Sequence, residues 1–162
     1  MALTNTYRNK IVDNLTARQT GLIGSQGSSV YIGLSSTPPN ADGTGVTEPT
    51  GNGYGRALIG TSGQNSTLIF PAATDGQAAN SKIIYFPEAT GTWGAQLTHF
   101  VLFNHETSTQ ASAVLAYAKL THDGEDAPIS VTAANTVVLF RAGELIIKYV
   151  DAITESDPEA TT

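Results

Sequence analysis

The sequence contains no cysteine and only three histidines in 162 residues. The absence of cysteine excludes disulfides, thiolate metal ligands and cysteine nucleophiles. The histidines, His99, His105 and His122, do not cluster with other ligand residues at the spacings that metal sites use. We therefore expect a fold that needs neither a metal ion nor an organic cofactor.

Charged side chains are also scarce, with eight Lys and Arg against 14 Asp and Glu and a formal net charge of −6. The basic residues are scattered singly instead of forming a phosphate-binding patch, so we expect no nucleic-acid partner. No stretch approaches the roughly 20 apolar residues of a membrane-spanning helix. The N-terminus lacks a basic segment followed by an apolar core, which predicts a chain that is not exported or inserted into a membrane.

Motifs of enzymatic chemistry are missing as well. No serine lies in a Gly-x-Ser-x-Gly elbow, and the glycines at 43 and 45 lack the Lys-Ser or Lys-Thr of a phosphate loop. Paired carboxylates remain open, since Glu48, Asp75 and Glu88 can converge in space. We predict a protein that is not an enzyme and has no catalytic residues.

The N-terminal segment has the period of an amphipathic helix. Leu3, Tyr7, Ile11 and Leu15 recur every fourth residue, which predicts a helix over residues 4–16. A helix of this length does not persist alone in water. Its apolar stripe must dock either on the sheet of its own domain or on a neighbouring subunit.

From residue 30 the apolar period changes to two. Val30, Ile32 and Leu34 alternate with Tyr31 and Gly33, which predicts a strand with one buried face and a close backbone approach on the other. Further strands are predicted over residues 56–59, 67–70, 82–86, 97–104, 113–120, 129–132, 136–140 and 145–150.

Turn signals such as Asp75-Gly76 and Asp123-Gly124 separate most of these strands. Many short strands at this spacing, with one helix, favour an antiparallel β-sandwich or jelly roll. We predict one such domain over residues 1–150, including the helix, and an acidic, flexible C-terminal tail over residues 151–162.

A polar loop over residues 35–55 carries the first candidate binding residues. Asn52, Tyr54 and Arg56 lie among glycines, which indicates either a glycine turn with Tyr54 packed at a strand edge or an anchor for a protein partner. Trp93, the only tryptophan, either closes one end of the sandwich or makes an exposed contact. Tyr7 and Arg8 of the helix complete the candidate interface.

Several motifs together resemble a group of small tailed-phage virion proteins. They keep their order over roughly residues 1–150 and are the runs 5–13, 30–39, 48–56, 86–94, 97–103 and 115–120. Members of this group are commonly labelled tail fibre proteins, and similar small β-sandwich proteins serve as capsid decoration or cement subunits. The sequence departs from the pattern at Asn104-His105-Glu106, where the group tends to have a turn rich in alanine and glycine, and in its acidic C-terminus.

The resemblance implies a non-enzymatic virion component that is made in the cytoplasm of a host bacterium. A small, acidic chain with no repetitive shaft favours a capsid decoration protein, which binds the major capsid protein lattice and stabilises the head. The alternative is a tail fibre or baseplate-associated protein that binds a receptor. Either function predicts other virion proteins as partners, and a homo-oligomer within the particle.

Overall fold

The computed structural model describes residues 5–17, 29–61 and 68–149. The predicted tail over residues 151–162 lies outside the described residues. Within the described ranges, the helix α1 (Asn5–Leu15) precedes the strands, and a short 3-10 turn spans Ala111–Ala113. The strands are β1 (Ser29–Ser35), β2 (Ala57–Thr61), β3 (Gln77–Ala79), β4 (Ile84–Tyr85), β5 (His99–Phe103), β6 (Val114–Lys119), β7 (Thr121–His122), β8 (Glu125–Asp126), β9 (Leu139–Phe140) and β10 (Ile146–Lys148).

A four-stranded antiparallel sheet of order β2-β1-β5-β6 forms the centre of the fold. Its register pairs Ile32 with Leu102 and Gly33 with Val101, so alternate residues of β1 and β5 face opposite sides. Ile32, Leu34 and Leu102 are fully buried on the side of the main core. The period-two pattern in β1 therefore predicted this strand and its buried face correctly.

The second layer over the main core consists of α1 and short antiparallel ribbons. The ribbons pair β3 with β10 and β4 with β9. Ala78, Ile84 and Ile147 from these ribbons share one buried cluster with Ile32 of the sheet. The predicted mainly β, antiparallel fold with one N-terminal helix is confirmed, although short ribbons replace a full second sheet.

The helix docks on its own domain, which is the first of the two predicted alternatives. Val12 is fully buried in the main core. The Asp13 carboxylate accepts the backbone N–H of Ala73 at 2.7 Å, and the Asn9 side chain accepts that of Gly76 at 2.6 Å. These polar bonds fix α1 on the segment before β3, so its orientation does not depend on apolar contact alone.

Two of the predicted turns have the backbone that their sequences require. Asp75 and Gly76 have φ of 51° and 73°, and Asp123 and Gly124 have φ of 51° and 85°. Positive φ at both central residues is the geometry of the tight type I′ hairpin, which Asp-Gly favours. The second of these turns joins β7 to β8.

Several strand predictions differ from the structure. Residues 129–132 form no strand within the described part of the chain, and Ile129 makes only an isolated bridge to Leu97. Residues 68–70 also lack a strand, although Ile69 donates its N–H to the Ile59 carbonyl at 3.1 Å. Strands β3, β7 and β8 were not predicted. Alanine, glutamine and acidic residues give β3 and β8 little β propensity, and β7 has only two residues.

Buried Asn80 joins two segments of the second layer, residues 80–82 and the connection between β9 and β10. Its amide nitrogen donates to the carbonyls of Lys82 and Arg141, each at 2.8 Å, and its oxygen accepts the N–H of Leu145 at 2.9 Å. We predict that Asn80→Ala lowers the free energy of unfolding by about 3 kcal/mol, because it leaves these buried groups unpaired. Urea denaturation measures the change. Asn104→Ala, at an exposed position, is the control and should change stability by less than about 0.5 kcal/mol.

Candidate binding cleft

The loop over residues 36–56 covers the face of the sheet opposite the main core. This face carries a second buried cluster, formed by Val101, Phe103 and Ala113. The loop is held by its own backbone bonds, including Ser36 N–H to the Thr47 carbonyl at 2.9 Å and Asn40 N–H to the Thr44 carbonyl at 2.8 Å. A segment without regular secondary structure thus acts as a covering layer.

Gly33 provides the space in which the loop reaches the sheet. A Cβ atom at this position would collide with the Glu48 carboxylate, and it would lie 2.9 Å from the Phe103 ring and 3.1 Å from the Tyr54 hydroxyl. Real Cβ contacts are essentially never shorter than 3.0 Å. The close backbone approach that the sequence predicted at Gly33 is therefore confirmed.

Arg56 and Glu48 form a well-shielded ion pair at the centre of this contact. Arg56 Nη2 lies 2.6 Å from Glu48 Oε2, and Nε lies 3.0 Å from Oε1. The side chains are only 4% and 16% exposed. The guanidinium carbon also lies 3.3 Å from the centroid of the Phe103 ring, which adds a cation–π contact.

The remaining Arg56 donors reach across to the segment between β5 and β6. Nη1 donates to the His105 carbonyl at 2.7 Å, and Nη2 donates to the Ser108 carbonyl at 3.0 Å. One guanidinium therefore ties the loop to the 104–110 segment. A lysine cannot reproduce this, since it lacks the planar fork of donors.

Tyr54 provides a hydrogen-bond partner for the end of β1 that extends past the first residue of β2. The first residue of β2, Ala57, pairs with Ile32, and beyond that point the Tyr54 hydroxyl accepts the Leu34 N–H at 2.9 Å. The same hydroxyl donates to Glu48 Oε1 at 2.7 Å. Burial, and then the adjacent Glu48 charge, raise the pKa of Tyr54 far above its usual value, so the hydroxyl remains a donor.

Trp93 and Asn52 extend the same network away from the sheet. Trp93 is 5% exposed, and its ring lies edge-on to Tyr54 with centroids 5.1 Å apart. Its Nε1 donates to the Asn52 carbonyl at 3.1 Å, and the Asn52 side chain donates to the Thr92 carbonyl at 2.6 Å. Trp93 therefore packs as a core residue, in agreement with the first of its two predicted alternatives.

Four of the six candidate interface residues thus lie in one bonded network: Asn52, Tyr54, Arg56 and Trp93. Arg8 lies elsewhere, in α1, where its side chain packs beside Gly76. The side chain of Tyr7 lies outside the described residues. A partner-binding function for this set stays a prediction, since the bonds described above are all made within the domain.

Sequence reasoning did not assign Glu48 and Phe103 to this network, although both are central to it. Glu48 lies eight residues before Arg56, and no local periodicity links the two positions. Phe103 belongs to a continuous apolar run in β5, and this pattern does not reveal which face each residue occupies. Gly33 was the available signal, because a glycine inside a strand indicates that another group, here an aromatic ring, approaches the backbone closely.

A cleft of about 630 Å³ opens between the loop and the 104–114 segment. Five threonines, Arg56 and Phe103 are among the residues that line it. The threonines are Thr44, Thr47, Thr50, Thr107 and Thr109. The cleft therefore offers hydrogen-bonding groups and a short apolar surface, while its ion pair is already satisfied.

The residues suited to acid–base chemistry are dispersed or already bonded. His105 Nδ1 accepts the N–H groups of Thr107 and Ser108, both at 3.1 Å. Asp75 lies in the turn beside α1, whereas Glu48 lies on the other face of the sheet and binds Arg56. In the parts of the chain that the structure describes, no group of three or more His, Asp or Glu residues is placed to hold a metal ion.

Comparison with known protein families assigns the chain. A family model described as "Podophage GP4 fiber I protein gp80" matches residues 2–148. The chain belongs to this family. The resemblance to tailed-phage virion proteins labelled as tail fibre is therefore confirmed, and the chain is a structural protein of the phage fibre type.

No curated protein matches the chain. Among the described residues, no helix has the length and apolar character needed to cross a membrane.

We predict that Tyr54→Phe lowers the free energy of unfolding by about 2 kcal/mol, because the Leu34 N–H and a Glu48 oxygen lose their buried partner. Tyr117→Phe, at an exposed tyrosine of β6, is the matched control and should leave stability nearly unchanged. Denaturant unfolding of both variants gives the comparison. Equal stability of the two would show that the Tyr54 hydroxyl does not support the loop.

We predict a loss of about 2 kcal/mol or more for Gly33→Ala, because the added methyl group forces apart the Glu48, Phe103 and Tyr54 contacts. Gly55→Ala is the control, since its Cβ would meet only the Pro87 ring at 3.3 Å. It should change stability by less than about 1 kcal/mol. Thermal unfolding followed by circular dichroism compares them, and a neutral Gly33→Ala would contradict the close packing.

Proposed function

We propose that this protein is a non-enzymatic fibre subunit of a tailed-phage virion and that it works by binding other virion proteins. Family membership carries the proposal, because the match over residues 2–148 includes every helix and strand of the described residues. Synthesis takes place in the cytoplasm of the host bacterium, and the folded subunit then joins the particle.

The geometry around the cleft supports a static function. Both oxygens of Glu48 accept hydrogen bonds from Arg56, and Oε1 also accepts one from the Tyr54 hydroxyl. A general acid or base must exchange a proton with a substrate, which requires a free position on the carboxyl group. Here the polar groups hold the loop on the sheet, which suits a subunit that contributes structure to an assembly.

A capsid decoration protein is the second candidate. The acidic charge of −6 and the compact fold without a repetitive shaft favour a subunit that covers a preformed lattice. Its partner would be the major capsid protein, and many modest contacts repeated over the head would make its attachment durable. The two functions differ in position on the particle and in copy number.

Labelling of virions with a specific antibody, viewed by negative-stain electron microscopy, distinguishes these functions. We expect label on fibres or at the tail and, by quantitative mass spectrometry, a few to a few dozen copies per particle. Label over the whole head with hundreds of copies would overturn the fibre function and establish decoration. Virions that lack this gene are the control for antibody specificity.

A further inference from the structure

The ribbon formed by β4, β9 and the residues next to them is apolar on both faces. Its inner face carries Ile84 and Val138, which are buried in the main core. Its outer face exposes Ile83, Tyr85 and Val137, which are 39%, 57% and 45% exposed. A ribbon with one face in water normally alternates apolar and polar residues.

Strand pairing gathers the outer side chains into one patch. Tyr85 pairs directly with Leu139. The pairing continues through the Phe86 N–H, which donates to the Val138 carbonyl at 3.0 Å, and this places Pro87 near Val137. We call this patch the ribbon face; its residues are Ile83, Tyr85, Pro87, Val137 and Leu139.

The sequence of the ribbon is typical of strands that are buried on both sides. Residues 83–86 read Ile-Ile-Tyr-Phe and residues 137–140 read Val-Val-Leu-Phe, two continuous apolar runs. The fold buries Ile84, Phe86 and Val138 and leaves Leu139 and Phe140 half-buried. The other three residues are exposed. A contiguous exposed apolar patch of this kind marks a protein interaction surface.

The charges around the ribbon face fit a second copy of the same surface. Lys82 and Arg141 lie at one end of the ribbon, together with Glu144, which pairs with Arg141, and Glu88 lies at the other end. All four side chains are exposed, so the first end keeps a net positive charge. Lys82 and Glu88 are separated by about 20 Å along an extended chain. Two ribbon faces stacked antiparallel about a two-fold axis bring each basic end over the acidic end of the other copy, and such a contact is self-complementary.

We propose that two copies of this chain bind each other through the ribbon face, with Tyr85 as the apolar anchor and Arg141 facing Glu88 of the other copy. Arg141 is available for this contact because its ion pair with Glu144 is long, at 3.5 Å, and its side chain is mostly exposed. The proposal goes beyond the fibre function and does not depend on where the protein sits in the virion.

Sedimentation equilibrium of the purified full chain over a range of concentrations tests the proposal. We expect a monomer–dimer equilibrium with a dissociation constant of about 1–100 μM, since the apolar area is small. Tyr85→Ser with Val137→Ser should raise that constant about 30-fold or more, because it removes the central anchor. Tyr117→Ser and Ile146→Ser, at exposed apolar positions outside the ribbon face, are the controls and should dimerise as the original protein does.

A charge exchange tests the antiparallel arrangement itself. Arg141→Glu alone and Glu88→Arg alone should each weaken dimerisation about fivefold or more, and the double variant should restore it, because each altered end again meets an opposite charge. Melting curves confirm that every variant is folded.

Three outcomes would overturn the proposal. The first is a chain that stays monomeric at every concentration, which would leave the ribbon face to a different virion protein. The second is a dimer, trimer or larger assembly that the ribbon-face variants do not disrupt. The third is a double charge variant that dimerises no better than the single variants.

Discussion

The Glu48 carboxylate carries a negative charge on the side of the loop that meets the sheet, and this loop has no regular secondary structure. The position of the loop therefore depends on the hydrogen-bond donors that bind the carboxylate. Removing a charged pair from water costs several kcal/mol, and the mutual attraction offsets this only with good geometry and further hydrogen bonds. Arg56 supplies a two-pronged contact and Tyr54 supplies a third donor. Because the same two residues also bind β1 and the 104–110 segment, one satisfied carboxylate positions three parts of the chain.

This arrangement limits which residues β1 can carry on its outer side. Tyr31 and Gly33 face the loop, and only glycine leaves space for Glu48 and Phe103 at that position. On the inner side, Ile32 and Leu34 share the main apolar core with residues of the ribbons and α1. The inner core tolerates volume-conserving exchange between apolar residues. The outer contact is less tolerant, because its polar groups have fixed directions.

Periodicity was sufficient to predict the parts of the fold in which neighbouring residues decide the structure. The helix at the N-terminus, β1, β5, β6 and the two Asp-Gly turns follow from local spacing and backbone preference. The Glu48–Arg56 pair was not predictable in this way, since it depends on a loop crossing the sheet and on Phe103 beneath it. The binding residues proposed from composition, Tyr54 and Trp93 among them, were chosen as aromatics near glycine, and that pattern is shared by interface anchors and by residues that close a core.

The two apolar runs of the ribbon present the opposite case. Their sequence indicates strands that are buried on both faces, whereas the described fold covers only the inner face. Ile84 and Phe86 enter the main core, whereas Tyr85, which lies between them, remains exposed. Tyr85 lies in a contiguous apolar patch, and such patches mark surfaces that a protein contact covers. The loop over residues 36–56 and the ribbon face also differ in chemistry. The polar groups that hold the loop are hydrogen-bonded within the domain, whereas the apolar side chains of the ribbon face remain exposed. Assembly through the ribbon face would therefore bury the surface that folding leaves exposed, without disturbing the polar network that holds the loop.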